Sequence, residues 1–263
     1  MRAATHIQTL RRHPSILLRN YRPVLLLSHM RANTSLLGHI LGSNPEVEGY
    51  YEMHIGYHSR KSLLRQRLLH FAEHRPKKGA RYLFDKVLHD HAVDLELFRK
   101  GKVMFALRSP ERTIPSIISL YRKVDPQHEF ATEAGAVDYY VSRLACINQL
   151  AHNSPVDFLY LDAEALRFAT ITTLDTLTAF LHLKQPLSER YRTMPLTGRK
   201  RTGDSSEAIG LGKVTQLQRS YDDIVVPEWL QARARRAYRE TRDGLINSPA
   251  CSVCILMDQS GKD

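Results

Sequence analysis

Cysteine is scarce: Cys146, Cys251 and Cys254 are the three in 263 residues. An odd, low count in a chain of this length does not support a disulfide framework. Cys251-x-x-Cys254 has the spacing of half a zinc site, but no second ligand pair at metal-site spacing accompanies it. It is expected as a reduced pair in a C-terminal tail, residues 248–263. No apolar run approaches the ~20 residues that cross a bilayer, so no integral membrane contact is expected. Residues 1–22 lack the apolar core of a secretory signal and lack any acidic residue. Residues 1–21 therefore read as a basic, solvated arm ahead of a domain at 22–247, in a protein expected to be cytoplasmic. The pattern G-x-x-x-x-G-K-[ST] is absent too, which removes support from a Mg²⁺-nucleotide loop. There is no internal repeat.

Positive charge, by contrast, is plentiful. Lys plus Arg is 38 against 27 for Asp plus Glu, a net charge of +11. Such a balance favours an anionic ligand, nucleic acid or a membrane surface. The cations are spread along the chain, with no basic stripe interleaved with aromatics, so nucleic acid is not the expected partner.

The stretch that organises the rest is 24–41, VLLLSHMRANTSLLGHIL. Four apolar residues suit a buried strand. Asn33 or Thr34 can cap a helix carrying Leu36, Leu37, Ile40 and Leu41 on one face, with Gly42 placed to end it. A strand turning tightly into a helix gathers free backbone N–H groups and a positive dipole end. Arg31, Thr34 and Ser35 add a cation and two hydroxyls, the composition of a phosphate site.

Further strands are expected at 47–51, 82–88, 103–107 and 156–161. The second of these is interrupted or ended by Asp85 and Lys86. Helices are expected at 61–74, 93–99, from about 110 to 123, at 137–150, 171–183 and 229–245. Strands alternating with helices predict a three-layer α/β/α domain around a mostly parallel sheet. Ligands bind beyond the C-terminal strand ends in such sheets, where Arg31, Glu52, Lys86 and Arg108 fall. Residues 195–214 carry four glycines and the run Arg199-Lys200-Arg201 without apolar period. They read equally as a solvated loop or as a basic loop over an anionic ligand.

Three separated segments together resemble sulfotransferases that use 3′-phosphoadenosine 5′-phosphosulfate (PAPS), a family with a P-loop-like fold. Ser28-His-Met-Arg31-Ala32-Asn33-Thr34-Ser35 is similar to the family's loop for the 5′-phosphosulfate. Arg108-Ser-Pro110, with Ser116 eight residues after the arginine, is similar to its 3′-phosphate motif. Arg199-Lys200-Arg-Thr-Gly203 resembles its C-terminal cofactor loop. Asp85-Lys86 and Asp162-Ala-Glu164 stand where many members carry comparable residues. Asn33 departs from the usual Gly, but Asn tolerates the left-handed conformation. Pro115 lies inside the expected helix, so that helix starts there or is kinked.

The resemblance implies PAPS as donor, no metal, and a small-molecule or glycan acceptor. Arg31 and Lys86 would face the sulfate. Ala32, Asn33, Thr34 and Ser35 would hold the 5′-phosphate, and Arg108, Ser116, Arg199 and Lys200 the 3′-phosphate. Glu52 or His54 would be the general base, Glu52 by likeness to members with an Arg-led loop. A strand reaching to Tyr51 would point both to one side. Acceptor contacts are expected from 54–74 and 125–137. The competing classes are a P-loop-like kinase and a basic nucleic-acid-binding protein.

Overall fold

In the computed structural model, residues 8–257 are described apart from 10, 15, 17, 18, 198–206 and 218. The elements in chain order are β1 (Arg22–Ser28), α1 (Thr34–Ser43), β2 (Val47–Glu48), α2 (Arg60–Glu73), β3 (Tyr82–Val87) and β4 (Lys102–Leu107). Then come α3 (Pro110–Val124), α4 (Glu133–His152), β5 (Phe158–Asp162), α5 (Ala165–Phe168) and α6 (Thr170–Phe180). Last are α7 (Glu207–Gly210), α8 (Glu228–Ile246) and β6 (Cys251–Ile255).

Side chains on neighbouring strand positions point to opposite faces, and here both faces are covered. Leu25, Leu27, Val103 and Phe105 join one apolar cluster with Ile117 of α3, Leu144 of α4 and Leu230 of α8. Val24, Leu26, Met104 and Ala106 join another with Leu37 and Ile40 of α1 and Leu177 of α6. Burial on both faces is why these strands read as unbroken apolar runs. The strands form one sheet in the order β2-β3-β1-β4-β5-β6, and every pairing is parallel. β1 is central, so the loop after it opens where the strand order reverses, the usual ligand crevice of such sheets. No helix among the described residues is long and apolar enough to cross a membrane.

Five local expectations change. β2 stops at Glu48 rather than Tyr51, because Gly49 turns at φ +83° against β3: a Cβ there would meet the Phe84 carbonyl oxygen at 2.2 Å. α1 runs through Gly42 to Ser43. The small residue at Gly38 serves close packing, since a Cβ would lie 2.1 Å from the Tyr50 carbonyl oxygen. Asp85 and Lys86 do not break β3. Both are buried within it, and the Asp85 carboxylate accepts from Tyr57 Oη, Met53 N–H and Lys86 N–H. Finally, the segment expected as a tail supplies β6, and the arm is partly packed: Ile16 is buried and Arg19 donates to the Lys77 carbonyl.

Arg143 of α4 is 1 % exposed. Its Nε donates to the Ser28 carbonyl (2.9 Å) and Nη2 to the Val87 carbonyl (2.7 Å). These are the last residues of β1 and β3, so one guanidinium ties off both strands. Arg143→Met would leave two buried carbonyls without their donors, at about 1–3 kcal/mol each. The expected outcome is a Tm lowered by roughly 5–15 °C. An unchanged Tm would mean that water takes over the guanidinium's role.

Candidate active site

The turn after β1 is built on left-handed backbone. Arg31 has φ 66° and Asn33 φ 54°. Asn33 holds its conformation through its side chain: Nδ2 donates to the Ala163 carbonyl (2.8 Å), and Oδ1 accepts from Arg167 Nε (3.0 Å). Engaged there, it does not cap α1, and the first turn of that helix carries no acidic residue. The helix N-terminus thus keeps its positive end for an anion. Thr34 and Ser35 sit on that turn. Lys86 Nζ reaches them from β3, 3.1 Å from Ser35 Oγ and 3.5 Å from Thr34 Oγ1.

Arg108, at the end of β4, fixes the other side. Its N–H donates to His29 Nε2 and its Nη1 to the Arg31 carbonyl, both at 3.0 Å. Its Nε lies 3.5 Å from Glu164 Oε1 but makes no hydrogen bond among the described residues, although buried. Burial holds the Arg108 pKa below its usual value and the Glu164 carboxyl above its own. A buried donor without an acceptor calls for a ligand oxygen, so the residues present fit a phosphate group here. Ser116 lies in α3, which starts at Pro110 and contains Pro115. Its Oγ is 2.9 Å from Arg31 Nε and accepts from Tyr221 Oη at 3.0 Å.

These groups share one cavity of about 320 Å³. Arg31, Asn33, Thr34, Ser35, Lys86, Arg108 and Ser116 line it, as do Glu52 and His54. Ala32 is buried and lies outside the lining. Arg199 and Lys200 lie outside the described residues. Of the two stretches expected at the acceptor, only His54 reaches the cavity wall; Leu88, His89, Leu120 and Tyr121 line it instead.

Glu52 and His54 are not on a strand, so the alternation argument for them fails. They come together by another route. Asp85 accepts from the Met53 N–H between them, and His54 adopts φ 51°. Its Nδ1 then sits 3.7 Å from Glu52 Oε1, which also accepts from the Leu88 N–H at 3.3 Å. Burial raises the Asp85 carboxyl to about 7, against the pull of its hydrogen-bond donors.

No family model and no curated protein matches the sequence. Solved structures do. The sulfotransferase domain of the Synechococcus PCC 7002 olefin synthase superposes with a TM-score of 0.56 at 17 % identity, covering 85 % of this chain and 96 % of that one. A sulfotransferase domain from the curacin biosynthetic pathway gives 0.48 at 14 % identity, over 85 % and 98 %. The chain has the fold of a sulfotransferase domain.

Within this sulfotransferase fold, several residues that shape the cleft carry no sequence signal. Arg167 both holds Asn33 and donates to the Thr215 carbonyl (2.7 Å), joining the first loop to the segment after 206. Tyr221 reaches Ser116 from beyond the basic loop. Neither belongs to a motif. Only the placement of Asn33 at a left-handed turn was open to inference, from its residue type.

His29 couples the loops that follow β1 and β4. Nε2 accepts from Arg108 N–H, so Nδ1 carries the proton and donates to the Met30 carbonyl at 2.9 Å. Burial lowers its pKa to about 3. Native His29 therefore stays neutral where the unfolded chain takes up a proton, near pH 6.5 and below. Stability is unaffected above that pH and falls as pH drops toward 3, by up to about 1.4 kcal/mol per unit. His29→Gln keeps a donor and an acceptor but does not titrate. Urea unfolding at pH 7 and pH 5 should show a smaller acid loss in the variant; an identical loss would place the proton uptake elsewhere.

Proposed function

We propose that the protein is a sulfotransferase, transferring a sulfuryl group from PAPS to a hydroxyl or amine of a small-molecule or glycan acceptor. The observation that carries this reading is the buried Arg108 Nε, which makes no hydrogen bond among the described residues, in the same cleft as the uncapped α1 N-terminus and Lys86. Two separated anion sites in one cleft suit a nucleotide phosphorylated at both ends. The shared fold with sulfotransferase domains supports the same assignment.

Bound donor would supply an activated sulfuryl group on a phosphate leaving group. Catalysis of such in-line transfers rests on positioning and charge stabilisation. Thr34, Ser35 and the α1 N-terminus bind the 5′-phosphate. Lys86 and Arg31 stabilise negative charge at the transferring end. Arg108 and Ser116 take the 3′-phosphate. Glu52 removes the acceptor's proton, its carboxylate oriented by the Leu88 N–H. None of these roles needs a metal.

Adenosine 3′,5′-bisphosphate should therefore stabilise the protein in thermal shift with EDTA present. Equal or greater stabilisation by ATP–Mg²⁺ would favour the kinase class. Arg108→Ala should weaken adenosine 3′,5′-bisphosphate at least roughly tenfold more than adenosine 5′-phosphate, the scale of a charge-assisted hydrogen bond. Equal weakening would make Arg108 structural.

Glu52→Gln should lower turnover by about 10²-fold or more, the scale of general-base loss, with cofactor affinity nearly unchanged. Labelled donor and an acceptor panel give the measurement. Near-normal turnover in Glu52→Gln with an inactive His54→Ala would move the role to His54.

A further inference from the structure

Glu52 and His54 have a third neighbour that the transfer reading does not use. A donor atom from each of Glu52, His54 and His91 lies within 4.8 Å of the other two. Two imidazoles and one carboxylate are a common donor set for Zn²⁺ and related borderline cations, with a position left open. Ligands at Zn²⁺ distances of about 2.0–2.2 Å stand roughly 3.3–3.5 Å apart in a tetrahedron. The Glu52–His54 pair, at 3.7 Å, is already near that value, with the His91 donor within 4.8 Å of both.

The frame behind these residues is fixed before any ion arrives. Tyr57 N–H donates to the Ala92 carbonyl (2.7 Å), and Asp94 N–H donates to the Tyr57 carbonyl (2.6 Å). A parallel bridge pairs Tyr57 with Val93. Leu88 N–H holds Glu52 from the other side, and His91 N–H donates to the His89 carbonyl at 2.8 Å. The 52–57 and 88–94 segments are thus laced together on both sides of the three donors. His54 is 44 % exposed and Glu52 8 %. An ion can enter past the imidazole and meet a carboxylate kept from bulk water.

The geometry points to a dissociable site for Zn²⁺-class cations, formed by Glu52, His54 and His91, whose occupation switches transfer off. Metal on Glu52 takes the lone pair that would accept the acceptor's proton. Binding stands on the geometry; inhibition rests on the reading of Glu52 as base.

The test uses the full chain after EDTA treatment and buffer exchange. Co²⁺ is titrated in while its visible d–d absorption is followed, then displaced with Zn²⁺. One Co²⁺ per chain is expected, displaceable by Zn²⁺. His91→Gln should weaken it at least about tenfold, since even the loss of a ligand's supporting partner costs 10–100-fold. That variant should keep its affinity for adenosine 3′,5′-bisphosphate and its metal-free turnover, while Zn²⁺ inhibition weakens by the same factor. His54→Ala should also lose the Co²⁺ signal, guarding against a folding defect in one variant. Co²⁺ binding unchanged in both variants would overturn the site. Co²⁺ bound through His91 without Zn²⁺ inhibition of an active enzyme would overturn the switch. A protein with no transfer activity that still binds Co²⁺ through His91 would overturn the sulfotransferase reading and leave the metal site standing.

Discussion

One helix holds the mouth of this cleft open, through three polar side chains on its buried face. Arg143 of α4 donates to the final carbonyls of β1 and β3. One turn earlier, Tyr139 Oη accepts from Met30 N–H and donates to the Leu88 carbonyl, each at 2.8 Å. Tyr140 Oη donates to the Arg108 carbonyl at 2.7 Å. Three strands therefore reach their ends against one rigid element, so the loops carrying Arg31 and Arg108, and Lys86 at the end of β3, are held at fixed points. Parallel strands leave carbonyls and N–H groups exposed where the ladder stops, and such groups are costly to bury unpaired. Here the same bonds that satisfy them also set the width of the site.

That arrangement explains which parts were legible in the sequence. The central strands were, because both faces are buried and the residues are apolar throughout. The strand–helix turn after β1 was, because Asn33 and the hydroxyls at Thr34 and Ser35 mark such a junction by type. β2 was not: Val47 to Tyr51 is apolar enough for a strand, and only the close approach of Gly49 to Phe84 ends it early. Tyr139, Tyr140 and Arg143 were visible only as members of a helix. Their partners lie far along the chain, so no local pattern encodes the role. β6 was missed because Cys251–Ile255 is a short edge segment in which Ile255 alone is buried.

The cleft gathers cations at some energetic cost. Lys86 is 2 % exposed and Arg108 is held below its ordinary pKa by burial. The nearest carboxyl to Arg108 Nε, that of Glu164, is itself raised by burial. A site of this kind is polarised in advance, with dipoles and charges held where they need little rearrangement. Burial also separates roles at the other end. Asp85, raised to about 7, is tied to three donors and serves the backbone, while Glu52 is left to face the cavity.

The sheet order also says something about synthesis. β1 is made first and ends in the middle; β3 and β4 flank it, and β5 extends the sheet outward. The cleft residues on these strand ends can be brought together once β4 and α4 have emerged. β6 pairs with β5 last, after the whole of α8. A growing chain thus carries an unpaired parallel edge at Phe158–Asp162 for the time it takes to make the remainder, and unpaired edges are where chains join one another. The small closing strand covers that edge of β5.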